Sequence, residues 1–206
     1  MPADQFGRAM RHLSRRDAVM NRLVSRLGRF EYINDVTPYQ SLIQGIVYQQ
    51  LSSTAASSIL QRFLSLFGGS YPEPDQLLSC HPSKIRAAGI MNRKIEYMKG
   101  VASAAKGGAL DPEKLRGMTD EQIIEELDGI RGVGPWTVHM LLIFVLGRPD
   151  VFPSGDLGIR KAMARAYGRD RLPTEAEALA FSERWRPYRT FASLYLWRAF
   201  DSAPWP

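Results

Sequence analysis

Residues 130–147 read IRGVGPWTVHMLLIFVLG: two glycines one residue apart, a proline, and then the most apolar run of the chain. Glycine tolerates φ > 0 and lets another molecule come close, and proline suits the first turn of a helix, where no N–H is required. The stretch is therefore expected to close one helix, turn sharply through Gly132 and Gly134 with φ > 0, and open another helix at Pro135. At such a turn the first N–H groups of the second helix point outward at the positive end of its dipole, which suits an anion such as a phosphate. The same glycines would serve an ordinary helical hairpin that needs them only to turn. Taken alone, they favour that simpler reading.

Upstream of the hairpin, Thr119 and Gln122 have the spacing of a capping box before Ile123, Ile124, Leu127 and Ile130, an apolar stripe at helical spacing. Downstream, the apolar helix is expected to be buried and to end at Gly147, after which RPDVFPSG delivers Asp156 to the start of a helix over 157–167. Helical periodicity prevails elsewhere and strand alternation is nearly absent, which predicts an all-α fold. Residues 8–28 carry Arg, Leu and Val at helical spacing and stop at Gly28. Residues 38–68 hold two helices meeting near Gln50 to Ser53, and residues 81–108 hold two more separated by Gly89 to Asn92. Residues 1–37 show no motif, and a helix completing the lobe of the C-terminal half is expected there. The chain reads as one domain of two lobes, approximately 40–148 with the hairpin, and approximately 1–39 plus 149–206.

Composition narrows the function. The 206 residues are 45% hydrophobic and 23% charged, which is globular rather than disordered, and the net charge of +6 suits a polyanionic partner. The single cysteine, Cys80, excludes an intramolecular disulfide and a four-cysteine iron–sulfur cluster, and fits a reducing compartment. His12, His81 and His139 lack ligand spacing, so no metal site is expected. The longest apolar stretch, Met140 to Leu146, is far short of the ~20 residues that span a bilayer, and the Arg-rich start has no signal-peptide pattern. The expectation is a soluble protein with no membrane partner, cytoplasmic and nucleoid-associated, or nuclear in a eukaryote.

From Leu127 to Ala162 the sequence resembles the helix-hairpin-helix, Gly/Pro-rich loop, aspartate (HhH-GPD) superfamily of DNA base-excision glycosylases. IVYQQLSSTAA upstream and ERWRPYRTFASLYLWRAF near the end add to the match, which spans roughly residues 38–200. Within the superfamily it is similar to the alkylation-repair branch, 3-methyladenine DNA glycosylase II. The residue after GVGP is Trp136, where lyase-competent relatives place the lysine that forms a Schiff base, and YLW puts Trp197 where alkyl-base relatives place a pocket aromatic. The resemblance implies a helix-hairpin-helix glycosylase fold with two helical lobes flanking a DNA- and base-binding cleft. The N-terminal sheet domain of well-studied members is not expected in a chain of this length.

The chemistry then has candidates. Cleaving an N-glycosidic bond builds positive charge on the sugar, which a carboxylate beside the anomeric carbon stabilises. The family position makes that carboxylate Asp156, where residue type alone would suggest only a helix cap; Asp150 is the weaker choice, a loop or cap residue. The target base must leave the stack, at a cost of roughly a few kcal/mol. Resemblance places Gln50 at the plug position and Ile90, Met91 and Asn92 at the wedge loop, beside Arg93 and Lys94. Core packing is an equal reading for Ile90 and Met91, and a helix-end backbone bond for Gln50. Trp136 and Trp197 would stack on an extruded base, with Tyr48, Met140 and Tyr188 as lesser pocket candidates; Trp185 and Trp205 read as core. The amides of Gly132, Val133 and Gly134 would hold a phosphate, with Arg160, Lys161 and Arg165 as further basic residues after Asp156.

The expected activity is that of a monofunctional DNA glycosylase that hydrolyses alkylated purines such as 3-methyladenine and 7-methylguanine without lyase activity. Its expected partner is double-stranded DNA with damaged bases, acted on by a monomer with no cofactor beyond a monovalent cation at the hairpin carbonyls. The alternatives are a glycosylase for a deaminated, mispaired or oxidised base, and a non-catalytic protein that binds DNA structure.

Overall fold

The computed structural model describes residues 4–32 and 35–202, apart from the side chain of Ser53. Among the described residues there is no strand. The helices run α1 (Gln5–Arg16), α2 (Ala18–Leu27), α3 (Pro38–Tyr48), α4 (Ser53–Ser65), α5 (Pro74–Ser79), α6 (Pro82–Ala87) and α7 (Asn92–Lys106). They continue with α8 (Pro112–Gly117), α9 (Asp120–Asp128), α10 (Pro135–Phe144), α11 (Leu157–Ala166), α12 (Glu175–Ser182) and α13 (Arg189–Asp201). The chain divides into two compact units, residues 35–141 and residues 1–34 with 142–206.

In the first unit α7 is the central element, packed by α3, α5 and α6. Ile95, Met98 and Val101 of α7, Leu42, Ile43 and Ile46 of α3, and Leu77 and Ile85 of the short helices belong to this unit's core, all nearly inaccessible to solvent. Three long cations close helix C-termini here, where the last carbonyls lack intrahelical donors. Lys94 Nζ donates to the carbonyls of Val47 and Gln49 at 2.8 Å each, at the C-terminal end of α3. Lys99 Nζ donates to Leu78 (2.8 Å) and Cys80 (2.9 Å) at the end of α5, and Arg62 Nε to Ala88 (3.0 Å) at the end of α6. Lys94 therefore faces inward, and burial pushes its pKa down. It is not the solvated basic residue that its place beside the wedge loop suggested.

In the second unit α13 is the central helix, buried along Thr190–Leu196 and packed by α2, α11 and α1. Residues 8–28 are two helices rather than one continuous run. Asp17 breaks them: its backbone is extended, and its Oδ1 accepts the N–H groups of Val19 (2.9 Å) and Met20 (3.2 Å) as the cap of α2. Its other oxygen accepts Tyr167 Oη (2.6 Å) and Trp185 Nε1 (3.1 Å), so this carboxylate, only 7% exposed, has four donors. A buried charge survives where it is hydrogen-bonded this fully. Trp185 is in the core, as expected. Trp205 lies outside the described residues.

Beyond the apolar helix α10 the chain turns at Gly147 (φ 65°), and Arg148 N–H reaches back to the Leu142 carbonyl at 2.9 Å, which satisfies one of the last carbonyls of the helix. The next loop is pinned by Thr190. Its hydroxyl donates to the Arg148 carbonyl (2.7 Å) and accepts Val151 N–H (3.0 Å), which fixes the approach to Asp156.

Candidate active site

The hairpin of residues 129–135 turns on one glycine with positive φ. Gly132 has φ 91°, and a Cβ there would lie 2.1 Å from the Tyr97 ring, so the close approach that requires glycine is to α7 of the same unit. Gly134 does not adopt positive φ, contrary to expectation; its carbonyl accepts Val138 N–H at 3.1 Å and starts α10, and space at its Cα is open. Val133 is 4% exposed and its N–H donates to the Ile130 carbonyl at 2.9 Å. Of the three amides expected to hold a phosphate, that of Val133 is thus spent inside the turn.

Gln49 ties the hairpin to α3. Its side-chain amide donates to the Gly132 carbonyl (2.9 Å) and to Thr137 Oγ1 (3.3 Å), while Thr137 Cγ2 comes within 2.9 Å of where a Cβ of Gly45 would sit. Two hairpin carbonyls, Ile130 and Gly132, already accept hydrogen bonds at the place where a monovalent cation was expected. Among the described residues no group of His, Cys, Asp and Glu could hold a metal ion.

Next in the same unit, the residues read as plug and wedge separate. Gln50 is exposed and holds φ 58°, a left-handed conformation uncommon for a side-chain-bearing residue. Leu51 beside it is 40% exposed, an apolar side chain for which no sequence motif speaks. Met91 is 66% exposed, whereas Ile90 is 2% exposed and belongs to the core. The wedge reading is corrected to that extent: Ile90 anchors the loop and Met91 projects from it. Asn92 is exposed at the first turn of α7, and Arg93 bonds through Nε to Tyr97 Oη with its guanidinium 5.5 Å from that ring. Trp136, Tyr48 and Met140 are half-buried in this unit.

The other unit carries the carboxylate. Asp156 has extended backbone (φ −70°, ψ 121°) and caps α11, its Oδ1 accepting Ile159 N–H at 2.8 Å. The same oxygen accepts Trp197 Nε1 at 2.9 Å. Trp197 stacks on Phe144 with ring centroids 5.9 Å apart at 29°, so its plane is set by one aromatic neighbour and its edge by Asp156. Gly158, two residues into α11, makes room: a Cβ there would lie 3.1 Å from Asp156 Oδ1 and 3.6 Å from Trp197 Cδ1. Neither Phe144 nor Gly158 belongs to the residues expected at the site, although a glycine just after an N-cap aspartate, in a helix that does not otherwise need one, is a readable sign.

The competing Asp150 is used structurally. It accepts Arg189 N–H (3.1 Å) at the start of α13, and its carboxylate pairs with Arg189 Nε (2.9 Å) and Arg186 (2.7 Å). Two guanidiniums satisfy that carboxylate. Tyr188 also moves out of the pocket reading, since its ring lies edge-on to His12 at 5.2 Å on the α1 side. Of the basic residues after Asp156, Arg160 reaches the Pro173 carbonyl at 3.4 Å, while Lys161 is exposed.

An all-α chain in which a glycine hairpin opens an apolar helix, with an aspartate-capped helix after it, has the plan of a helix-hairpin-helix base-excision protein. The chain belongs to the HhH-GPD superfamily of base excision DNA repair proteins, whose pattern matches residues 43–187. It is 38% identical over 192 residues to DNA-3-methyladenine glycosylase 1 of Schizosaccharomyces pombe, covering 91% of this chain and 84% of the relative. A solved structure of an S. pombe 3-methyladenine DNA glycosylase in complex with abasic DNA superposes with a TM-score of 0.90 at 37% identity, over 95% of this chain and 98% of that one. A DNA-3-methyladenine glycosidase from Bacillus halodurans matches with a TM-score of 0.79 at 35% identity, over 94% of this chain and 89% of that one.

Proposed function

We propose that this chain is a monofunctional DNA N-glycosylase that removes alkylated purines, 3-methyladenine and 7-methylguanine among them, from double-stranded DNA and leaves an abasic site. The reading is carried by Asp156, a carboxylate held by two donors on one oxygen at the N-terminus of α11, in a chain whose relatives are named for this activity. A helix N-terminus is a favourable place for negative charge.

In the reaction the C1′–N bond breaks and its electron pair leaves with the base. An alkylated purine is cationic and departs neutral, so no general acid is required. Positive charge develops on the sugar and the carboxylate stabilises it, in a geometry fixed before the reaction begins. Water then adds through oxygen to C1′, and its proton passes to Asp156 or to solvent. Trp136 carries no amine, so hydrolysis rather than an imine to the chain completes the step. Stacking of an aromatic side chain such as Trp136 or Trp197 on the extruded base would contribute about 1–3 kcal/mol, with a cation–π gain of up to ~2 kcal/mol for a cationic purine. These magnitudes discriminate modestly, and the lability of the alkylated bond supplies much of the selectivity, so the lesion range is broad. Gln50 and Met91 would fill and wedge the vacated stack, and the Gly132 and Gly134 amides with the first turn of α10 would hold a backbone phosphate.

The test is incubation with methylated duplex in the presence of EDTA, tracking free bases by chromatography and strand nicks before and after alkali. Released methylpurines with nicks only after alkali are expected. Asp156→Asn should lose at least about 100-fold in release rate while still binding duplex. Release by that variant at the parental rate would remove Asp156 from the mechanism.

A further inference from the structure

We propose that α1 carries a second anion site, separate from the hairpin, for the phosphates of a nucleic acid strand. A cavity of about 390 Å³ is lined by Arg8, Arg11, His12, Arg15, Arg16 and Tyr188, with no acidic side chain among them. The opposite face of the helix, Phe6, Ala9 and Leu13, is buried, so packing fixes which way the arginines point. Arg11 reaches Asp4 at 3.3 Å. Arg8, Arg15 and Arg16 have no ion-pair partner among the described residues, although carboxylates elsewhere in this unit are shared between arginines, as Asp150 is by Arg186 and Arg189. His12 adds a separate sign: its Nε2 atom is buried without a hydrogen-bond partner, while its ring is held edge-on to Tyr188. Buried polar atoms in folded proteins nearly always have partners, and one left without has room to bind a water, an ion or a ligand group.

The spacing selects the ligand. Guanidinium is the side chain suited to phosphate, offering planar, two-pronged donation. From Arg8 to Arg15 is about 10 Å along the helix axis, with cations at each intervening turn. One strand of a duplex advances about 3.4 Å per phosphate, so such a row suits a linear polyanion better than one compact phosphate. The choice of a strand over a soluble polyphosphate rests on the DNA reading above; the anion chemistry does not. The site reads no sequence. It would anchor DNA to the unit that carries Asp156.

The experiment compares the full chain with Arg8→Gln/Arg15→Gln, substitutions that keep helix propensity, with folding checked by circular dichroism. Affinity for an undamaged duplex is measured across a salt series. Each lost phosphate contact should lower the slope of log affinity against log salt by about 0.9, so the double variant should fall by nearly 2 and bind more weakly. Tripolyphosphate binding is measured in parallel by calorimetry. An unchanged slope overturns the strand assignment, whether or not tripolyphosphate binds. An equal fall in Arg22→Gln/Arg26→Gln, which removes the same charge from α2, also overturns it, since net charge and not the cavity would then be responsible. A changed slope in a protein that releases no base would leave the site standing and defeat only the glycosylase reading.

Discussion

Trp197 donates its indole N–H to Asp156 Oδ1 at 2.9 Å, the same oxygen that caps α11. The tryptophan expected to act through its face thus also acts through its edge. A hydrogen bond to a charged group is worth about 1.5–3 kcal/mol, and here it fixes the orientation of the carboxylate. Trp197→Phe keeps an aromatic ring beside Phe144 and removes the donor along with part of the indole. Base release under single-turnover conditions should slow about 10- to 100-fold with little change in melting temperature. An unchanged rate would show that the contact does not position the carboxylate.

Gly158→Ala tests the same geometry from the other side. Alanine is favoured over glycine in a helix by about 1 kcal/mol, yet its Cβ would stand 3.1 Å from Asp156 Oδ1. Stability is expected to hold or rise while base release falls. A variant that is both more stable and fully active would mean that the carboxylate can shift without cost.

Gly132→Ala should damage the fold. The residue has φ 91° and its added methyl would meet the Tyr97 ring at 2.1 Å. Left-handed backbone costs about 1–2 kcal/mol for an L-residue and overpacking about 1–3 kcal/mol more. Denaturant unfolding should show the loss, and adding Tyr97→Ala should remove its steric part relative to Tyr97→Ala alone. Additive losses would separate the hairpin from α7.

Glu177 gives a pH dependence whose direction is fixed. Arg171 first, and then the Thr174 cap, hold its carboxyl well down, to about 2 from an ordinary 4.5. Because the folded value is the lower one, the contribution is fully present above about pH 4.5 and is lost as pH falls toward 2. Wild type and Glu177→Gln should therefore differ in stability at pH 6 and converge near pH 2, as read by denaturant midpoints. A difference that persists unchanged to pH 2 would overturn this assignment.

The helical fold and the hairpin are legible because they are written in local chemistry. Thr119 with Gln122 forms the capping box its spacing announces, with both reciprocal bonds present. By the same rule Thr174 with Glu177 starts α12 and Asp111 with Pro112 starts α8, signals equally local. The break at Asp17 is harder, because its cap competes with continuous helical periodicity and is settled by distant donors, Tyr167 and Trp185. At the site, Asp156 and Trp197 are visible as motifs, whereas their hydrogen bond joins positions 41 residues apart. Such a contact depends on how α11 packs on α13, which no local pattern encodes. The burial of Ile90 beside the exposed Met91 likewise depends on which face of one turn meets the core.

Lys94, Lys99 and Arg62 count toward the formal charge of +6, yet all three are turned onto helix carbonyls of their own unit. Each meets a local partial charge of about half an electronic charge, and its donors are engaged there. A polyanion touching this unit would find those donors already taken, although their charge still adds to the attraction at a distance. Direct contact would then fall to the basic side chains left facing water, Arg86 and Arg131 among them, so the sum sets the approach and their placement sets the grip.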